Sequence, residues 1–96
     1  MAIRTIEKPS RAGPGLSLGG AWRVIVLNDS HNTFDGVAHA LAKTLPGVTL
    51  EKGFRFADAI HASGQSIVWV GHLEPAELYW EQLESSGLTM APLEQD

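Results

Sequence analysis

The sequence of 96 residues predicts an α+β fold, in which three short strands form a small sheet and three helices pack on one side of it. Two observations lead to this prediction. Short apolar runs of strand length alternate with longer stretches in which apolar residues recur every three or four positions. Glycine, proline and small polar residues separate these stretches and set the order β-α-α-β-α-β.

Composition indicates one folded domain preceded by an arm. Apolar residues make up 44% of the chain and charged residues 19%, which is ordinary for a globular domain. Residues 1–20 contain the run RAGPGLSLGG, whose glycine and proline content predicts a flexible N-terminal arm. A short extended piece is predicted within AIRTIEK, and the domain is predicted over residues 21–96.

Charge, hydropathy and cysteine content exclude several classes of function. The formal net charge of -4, without any basic run, argues against nucleic acid and against a membrane as partners. No apolar run approaches the roughly 20 residues that span a bilayer, and the first ten residues lack the apolar middle of a secretory signal. The absence of cysteine excludes disulfides and thiol catalysis. We expect a cytoplasmic protein, or one of the plastid stroma if the source is a plant or alga.

The first strand is predicted over Trp22–Leu27, where the residues are apolar on both faces except at Arg23, so this strand should be central in the sheet. A helix follows a polar turn. Asn32 is the predicted N-cap, and Pro46 ends the helix. The apolar stripe of this helix consists of Phe34, Val37, Leu41 and Leu45.

A second helix is predicted over Leu50–Ser63, with Thr49 as its cap and Gly64 at its exit. The second strand is predicted over Ser66–Val70.

A third helix is predicted to begin at Pro75, a favoured residue at the first helical position. Gly87 ends this helix. The last strand is predicted in LTMAPL and is assigned to the edge of the sheet, because Pro92 has no N–H to donate.

Catalysis and metal binding find little support in the pattern. No two of the four histidines lie four residues apart on one helix, and there is no cysteine to supplement them. Asp29, Ser30 and His31 are adjacent, whereas a Ser-His-Asp triad is assembled from separated positions. We therefore predict no enzymatic activity and no cofactor. The four histidines are His31, His39, His61 and His72.

A binding function fits the stretch LNDSHNTF (27–34) better. Asn28 and Asp29 stand at the exit of a central strand, where open sheets tend to place ligand-contacting groups. If the second helix packs beside the first, His61 comes near them, and its neutral ring adds an acceptor. Three converging acceptors, one of them charged, suit an ammonium group. The apolar hole beside it would be lined by Phe34, Val37, Ala57 and Ile60. The plain alternative is an ordinary turn and an ordinary core.

From Arg23 to Glu94 the sequence resembles the ClpS family, adaptors that bring N-degron substrates to Clp-family AAA+ proteases. The matching stretches are VIVLND (24–29), NTFDGVAHAL (32–41), AIHASGQSIVWV (59–70) and EPAE (74–77). The resemblance implies a three-stranded antiparallel sheet with three helices and no catalytic activity.

The resemblance also implies roles for individual residues. In ClpS-like adaptors the residues matching Asn28, Asp29 and His61 hold the α-amino group of the substrate. The pocket for its first side chain, which is Leu, Phe, Tyr or Trp in the family, is lined by residues matching Asn32, Phe34, Val37, Ala57, Ile60 and Thr89. Docking to the N-terminal domain of a ClpA- or ClpC-like ATPase is implied by Glu74 and Glu77, with Tyr79 where the family has lysine.

Tyr79 is not the only departure from the family pattern, and the departures near the predicted pocket leave two hypotheses. Ser30 replaces a usual aspartate, Ala57 replaces a larger residue in the pocket floor, and Phe34 replaces methionine or leucine at the gate. In the first hypothesis the chain is an adaptor that binds free N-termini with a bulky hydrophobic first residue and delivers them to the ATPase. In the alternative, Phe34 plugs the pocket, and the chain is a Clp-docking regulatory module that does not read N-degrons.

Overall fold

The structure is a computed structural model, and it describes residues 4–6 and 20–95. In chain order the elements are β1 (Arg4–Ile6), β2 (Trp22–Leu27), α1 (Phe34–Thr44), α2 (Leu50–Ser63), β3 (Gln65–Gly71), α3 (Leu73–Ser85), β4 (Thr89–Met90) and β5 (Leu93–Gln95). The predicted class, with three helices and an antiparallel sheet, is confirmed. β1 lies within the predicted extended piece; the rest of the predicted arm, apart from Gly20, lies outside the described residues.

β2 is the central strand, as predicted. The sheet is antiparallel in the order β1-β5-β2-β3, and β4 also pairs with β2. β2 pairs with β3 from Trp22 opposite Gly71 to Leu27 opposite Gln65, with one irregularity after Val24. The strand end that precedes the polar stretch 28–33 is therefore held on both sides, because Leu27 also lies opposite Thr89 of β4.

The last strand is not continuous, and only its first part is at an edge of the sheet as predicted. Among the described residues, β4 pairs with β2 alone, whereas β5 lies inside the sheet. The last strand is divided into β4 and β5 by Ala91 and Pro92. Proline has no N–H and cannot continue a hydrogen-bonded ladder, so it lies in the gap between the two short strands. β5 pairs with β2 on one side and with β1 on the other, which makes it an interior strand.

The helices follow the predicted pattern with two corrections at their N-termini. The N-cap of α1 is Thr33 and not Asn32, since the Thr33 hydroxyl accepts a hydrogen bond from the Gly36 N–H at 2.9 Å. α3 begins at Leu73, two residues before Pro75. Proline is tolerated there because the first four N–H groups of a helix have no intrahelical partner. α2 begins after its Thr49 cap and ends at Gly64, as predicted.

The core lies between β2 and the three helices. Trp22, Val24 and Val26, which alternate along β2, pack with buried side chains of all three helices. The Trp80 ring N–H donates to the Ala91 carbonyl at 2.7 Å, which ties α3 to the break between β4 and β5. Within the part of the chain that the structure describes, none of the helices combines the length and the apolar character needed to cross a bilayer.

α1 and α2 approach each other unusually closely at Gly53. A Cβ atom placed on this buried glycine would collide with the backbone carbonyl oxygen of Ala38 and lie 3.1 Å from its carbonyl carbon. Only a residue without a side chain permits this distance between the helices. Residues of α1 and α2 line one cavity, so the separation of the two helices sets its width.

Candidate functional site

The turn after β2 is joined to the end of α2. The Asn28 N–H donates to the Gly64 carbonyl at 2.8 Å, and Gly64 is the left-handed C-cap of α2, with φ of 89°. A left-handed conformation favours glycine at this position. Because His61 precedes Gly64 by less than one helical turn, this hydrogen bond brings the polar end of β2 and the last turn of α2 to one place.

Asp29 is the centre of a hydrogen-bond network within the turn. Its Oδ1 accepts from the backbone N–H groups of His31 at 3.0 Å and of Asn32 at 2.7 Å. Its Oδ2 accepts from the Asn32 side-chain amide and from the Thr89 hydroxyl, each at 2.7 Å. A carboxylate offers about four acceptor positions. Both oxygens of Asp29 are therefore well supplied with donors from the protein itself.

The same network connects two distant parts of the chain. Besides its bond to Asp29, the Asn32 side-chain amide donates to the Gly87 carbonyl at 2.8 Å. Thr89 reaches Asp29 from the start of β4. The turn between β2 and α1 is thus attached to the segment between α3 and β4 by two hydrogen bonds from different side chains.

The network keeps Asp29 ionised. The hydrogen bond from the Thr89 hydroxyl and that from the Asn32 N–H hold the pKa of the Asp29 carboxyl far below its ordinary value, and burial opposes them only partly. The His31 ring lies close by, with Nδ1 3.7 Å from Oδ1, but it is largely exposed. A fixed negative charge therefore stands at the end of β2.

A cavity of about 430 Å³ lies beside this charge, between α1 and α2. Its floor is apolar and formed by Val37, Ala57 and Ile60, all of them buried. Phe34 stands at its rim with 43% of its surface exposed. Polar groups occupy the other side. These polar residues are Asn28, Asp29, Asn32, Thr33 and His61.

The structure brings together all but one of the residues predicted for the pocket and its amino end. The exception is Thr89, which does not line the cavity and instead holds Asp29. Thr33 lines the cavity and was not predicted; its sequence signal is that of a small hydroxyl residue directly before a helix. The other eight predicted residues line one cavity, although they come from two separate stretches of the sequence, 28–37 and 57–61.

The gate residue Phe34 belongs to a row of three rings. Its ring stacks on Phe54 of α2, with centroids 5.7 Å apart and an interplanar angle of 25°. His39 meets Phe54 edge-on, at 6.2 Å and 82°. Phe54 does not line the cavity. It could not be predicted as a functional residue, because in the sequence it is one of several apolar positions on an amphipathic helix.

The residues predicted for docking divide between two sides of α3. Glu74 and Glu77 line a groove of about 480 Å³ together with Pro75, Leu78 and Glu81. Leu78 is 49% exposed in this groove, and its spacing from the acidic residues places all of them on one helical face. Tyr79 does not line the groove; it is half-buried, with its ring edge-on to Trp69 at 5.0 Å.

No group of three or more metal-ligating side chains occurs within residues 4–6 and 20–95. The cavity instead has an anionic, acceptor-rich end and an apolar floor. Comparison with known proteins gives the family. The family described as "ATP-dependent Clp protease adaptor protein ClpS" matches residues 19–94, and the chain belongs to this family of Clp protease adaptors.

Curated relatives and a solved structure agree with this assignment. The ClpS adapter of a Nostoc strain is 55% identical over 73 residues, which cover 76% of this chain and 75% of the relative. The ClpS adapter of Synechococcus elongatus is 34% identical over 89 residues, or 93% of each chain. The structure of Agrobacterium tumefaciens ClpS2 bound to L-phenylalaninamide has a TM-score of 0.70 at 20% identity, covers 80% of this chain and 98% of that one, and has the same fold.

Proposed function

We propose that this adaptor binds the free α-amino group and bulky hydrophobic first residue of substrate proteins and delivers them to a ClpA- or ClpC-type ATPase, without a reaction of its own. The observation that carries the proposal is the cavity itself. It combines a fixed negative charge with an apolar floor of matching size, and an N-terminal residue presents an ammonium group directly beside a side chain.

The polar end has the chemistry to hold an ammonium group. Asn28 and His61 face the cavity and are exposed, so an amide oxygen and a ring nitrogen are accessible as acceptors. The ionised Asp29 beside them favours a cation. Charge-assisted hydrogen bonds contribute about 1.5–3 kcal/mol each. An acetylated terminus has neither the charge nor the three donors.

The apolar end has the chemistry to hold the first side chain. Val37, Ala57 and Ile60 present only carbon atoms to the cavity, and burying a large apolar side chain contributes roughly 1.5–3 kcal/mol. The Agrobacterium protein of the same fold was solved with L-phenylalaninamide, a molecule with a free amino group beside a benzyl side chain. That ligand has both features that this cavity would bind, an amino group and a large apolar side chain.

The position of Phe34 does not favour the plugged-pocket alternative. Its ring stacks on Phe54 at the rim, and a cavity of about 430 Å³ remains beneath it. An adaptor that binds free N-termini therefore remains the proposed function, and the peptide titration tests the plugged state.

The test uses labelled peptides that begin with Leu, Phe, Trp or Ala, each with a free and with an acetylated N-terminus, titrated by fluorescence anisotropy. We expect the free peptides with bulky first residues to bind and acetylation to weaken them by about 10- to 100-fold, as the loss of one charge-assisted hydrogen bond predicts. The Ala peptide should bind weakly. Failure of every free peptide to bind the folded protein would refute the proposal.

We also propose that the groove around Leu78 docks on the N-terminal domain of the ATPase. An exposed apolar side chain with acidic neighbours suits a partner surface that is basic around an apolar hollow. The compartment follows that of the ATPase; we propose the cytoplasm. Two of the three docking residues predicted from the sequence, Glu74 and Glu77, line this groove, and the proposed docking surface does not include Tyr79.

Charge reversal at Glu74 tests the docking proposal. Glu74→Lys should weaken binding to a purified ClpC-type N-terminal domain by about tenfold, because it opposes a basic partner surface, while peptide binding stays unchanged. Glu84→Lys is the matched control, since Glu84 is an exposed glutamate of the same helix outside the groove. Equal effects of the two substitutions in calorimetric titrations would place the docking surface elsewhere.

A further inference from the structure

His39 is the ring of the three-ring row that lies farthest from the pocket, and a hydrogen bond holds it in place. His39 Nδ1 donates to the Asp35 carbonyl at 2.8 Å, one turn back along α1, because a carbonyl oxygen can only accept. This bond fixes the plane of the His39 ring. Phe54 then lies between two rings of α1, edge-on to His39 and stacked on Phe34.

Phe34 has two places where its ring can gain contacts. One is the observed position on Phe54, which leaves 43% of the residue exposed. The other is the apolar cavity that Phe34 already borders, where Val37, Ala57 and Ile60 would surround it. Burial favours the inward position, and the stack on Phe54 favours the outward one. Phe54, on which the ring stacks, therefore decides whether the cavity is open to a ligand.

We propose that Phe54 is a positioning residue of the peptide pocket: by stacking on Phe34 it holds that ring on the rim and keeps the entrance open. The role of Phe54 in affinity rests on the proposed function, whereas its control of the Phe34 ring does not. Because Phe54 does not line the cavity, it acts through Phe34.

The size of the effect follows from the strength of one aromatic pair. Such a pair shifts an equilibrium by about 2- to 12-fold. When a binding-competent state is only partly populated, the apparent affinity falls in proportion to its population. Loss of the Phe54 ring should therefore weaken peptide binding by up to about tenfold, by slowing association while dissociation stays unchanged.

The first experiment is a double-mutant cycle on binding of a peptide with a free N-terminal Phe. Phe54→Ala should weaken binding about 3- to 10-fold when Phe34 is present. In the Phe34→Ala background it should have no effect, because no ring is left to turn inward. Equal losses in both backgrounds, or no loss in either, would overturn the proposal.

A matched control separates this role from ordinary packing. Phe56 is also a half-buried phenylalanine of α2 packed against the core, but it makes no ring contact among the described residues and does not line the cavity. Phe56→Ala should lower the melting temperature as much as Phe54→Ala does and leave peptide binding unchanged. If Phe56→Ala weakens binding as much as Phe54→Ala, the effect belongs to helix stability and the proposal fails.

The second experiment needs no peptide. It therefore tests whether Phe54 controls the Phe34 ring even if the protein binds no free N-terminus. In Phe54→Ala the Phe34 ring should lie over the cavity floor, which would shift the Ile60 methyl resonance upfield and produce nuclear Overhauser contacts from the ring to Ala57. Wild type and the Phe34→Ala, Phe54→Ala double variant should lack both signals. An Ile60 methyl that stays at its wild-type position in Phe54→Ala would refute the proposal, whatever the protein binds.

Discussion

Replacement of Gly53 by alanine is expected to lower the free energy of unfolding by about 2 kcal/mol and to weaken peptide binding by about tenfold. The new Cβ would meet the carbonyl group of Ala38, which is backbone and cannot move aside as a side chain would. α1 and α2 must therefore separate. Val37 and Ala57, which form the floor of the cavity from the two helices, separate with them. Urea denaturation and anisotropy titration measure the two effects.

Gly36→Ala is the matched control, because it makes the same change in α1. There the new Cβ would meet only the Thr33 hydroxyl, at 2.9 Å, and a side chain can rotate away. The gain in helix propensity of about 1 kcal/mol offsets the disturbed cap. We expect the free energy of unfolding of Gly36→Ala to stay within about 1 kcal/mol of that of the wild type. If Gly53→Ala were as stable as Gly36→Ala, the close approach of the helices would not be essential.

Asp29→Asn is expected to weaken binding of free N-termini at least about tenfold and to lower the free energy of unfolding at pH 7 by about 1–3 kcal/mol. The substitution removes the negative charge and places an NH₂ group where a carboxylate oxygen accepts two hydrogen bonds. Whichever way the amide turns, two donors lose their acceptor. The turn between β2 and α1 then loses part of its attachment to the segment before β4.

The pH dependence of this difference has a defined sign. Because the pKa of Asp29 is lower in the folded state than in the unfolded chain, its contribution to stability is present above the unfolded value of about 3.9 and is lost as the pH falls toward the folded value. The stability gap between wild type and Asp29→Asn should therefore be largest near neutral pH and shrink below about pH 4. Denaturation curves at several pH values test this.

A surface substitution serves as the control for loss of charge. Asp58→Asn removes an exposed carboxylate of α2 that does not line the cavity, and it should change neither stability nor binding. Two results would contradict our account of Asp29: a stability gap that stays constant down to pH 2.5, or a binding loss in Asp58→Asn equal to that in Asp29→Asn.

Much of the candidate site was predictable because its residues follow local rules. The cap Thr49 and the exit Gly64 fix the ends of α2, which places His61 in its last turn. The apolar run of β2 ends abruptly at Asn28, which places the polar turn at a strand end. Periodicity along α1 and α2 then selects the inward positions Val37, Ala57 and Ile60.

The corrections concern residues for which two local roles competed. Asn32 and Thr33 are both good N-cap residues, and the sequence favoured Asn32. The structure gives the cap to Thr33, because the Asn32 amide bonds to Asp29 and to the Gly87 carbonyl. Pro92 was assigned to an edge strand by its missing N–H, but it lies in no strand, because the break between β4 and β5 leaves no ladder position for it to fill.

The order of the elements, the polar turn at the end of β2 and the apolar faces of α1 and α2 could be predicted, because they depend on residues near one another in the chain. The contacts of Thr89, Tyr79 and Phe54 could not be predicted in this way and became visible only in the folded protein. Thr89 contacts Asp29 across sixty positions, Tyr79 packs on Trp69 away from the acidic groove, and Phe54 stacks on Phe34 across the helix pair. Contacts between distant residues depend on how the helices and strands pack, which no local pattern encodes.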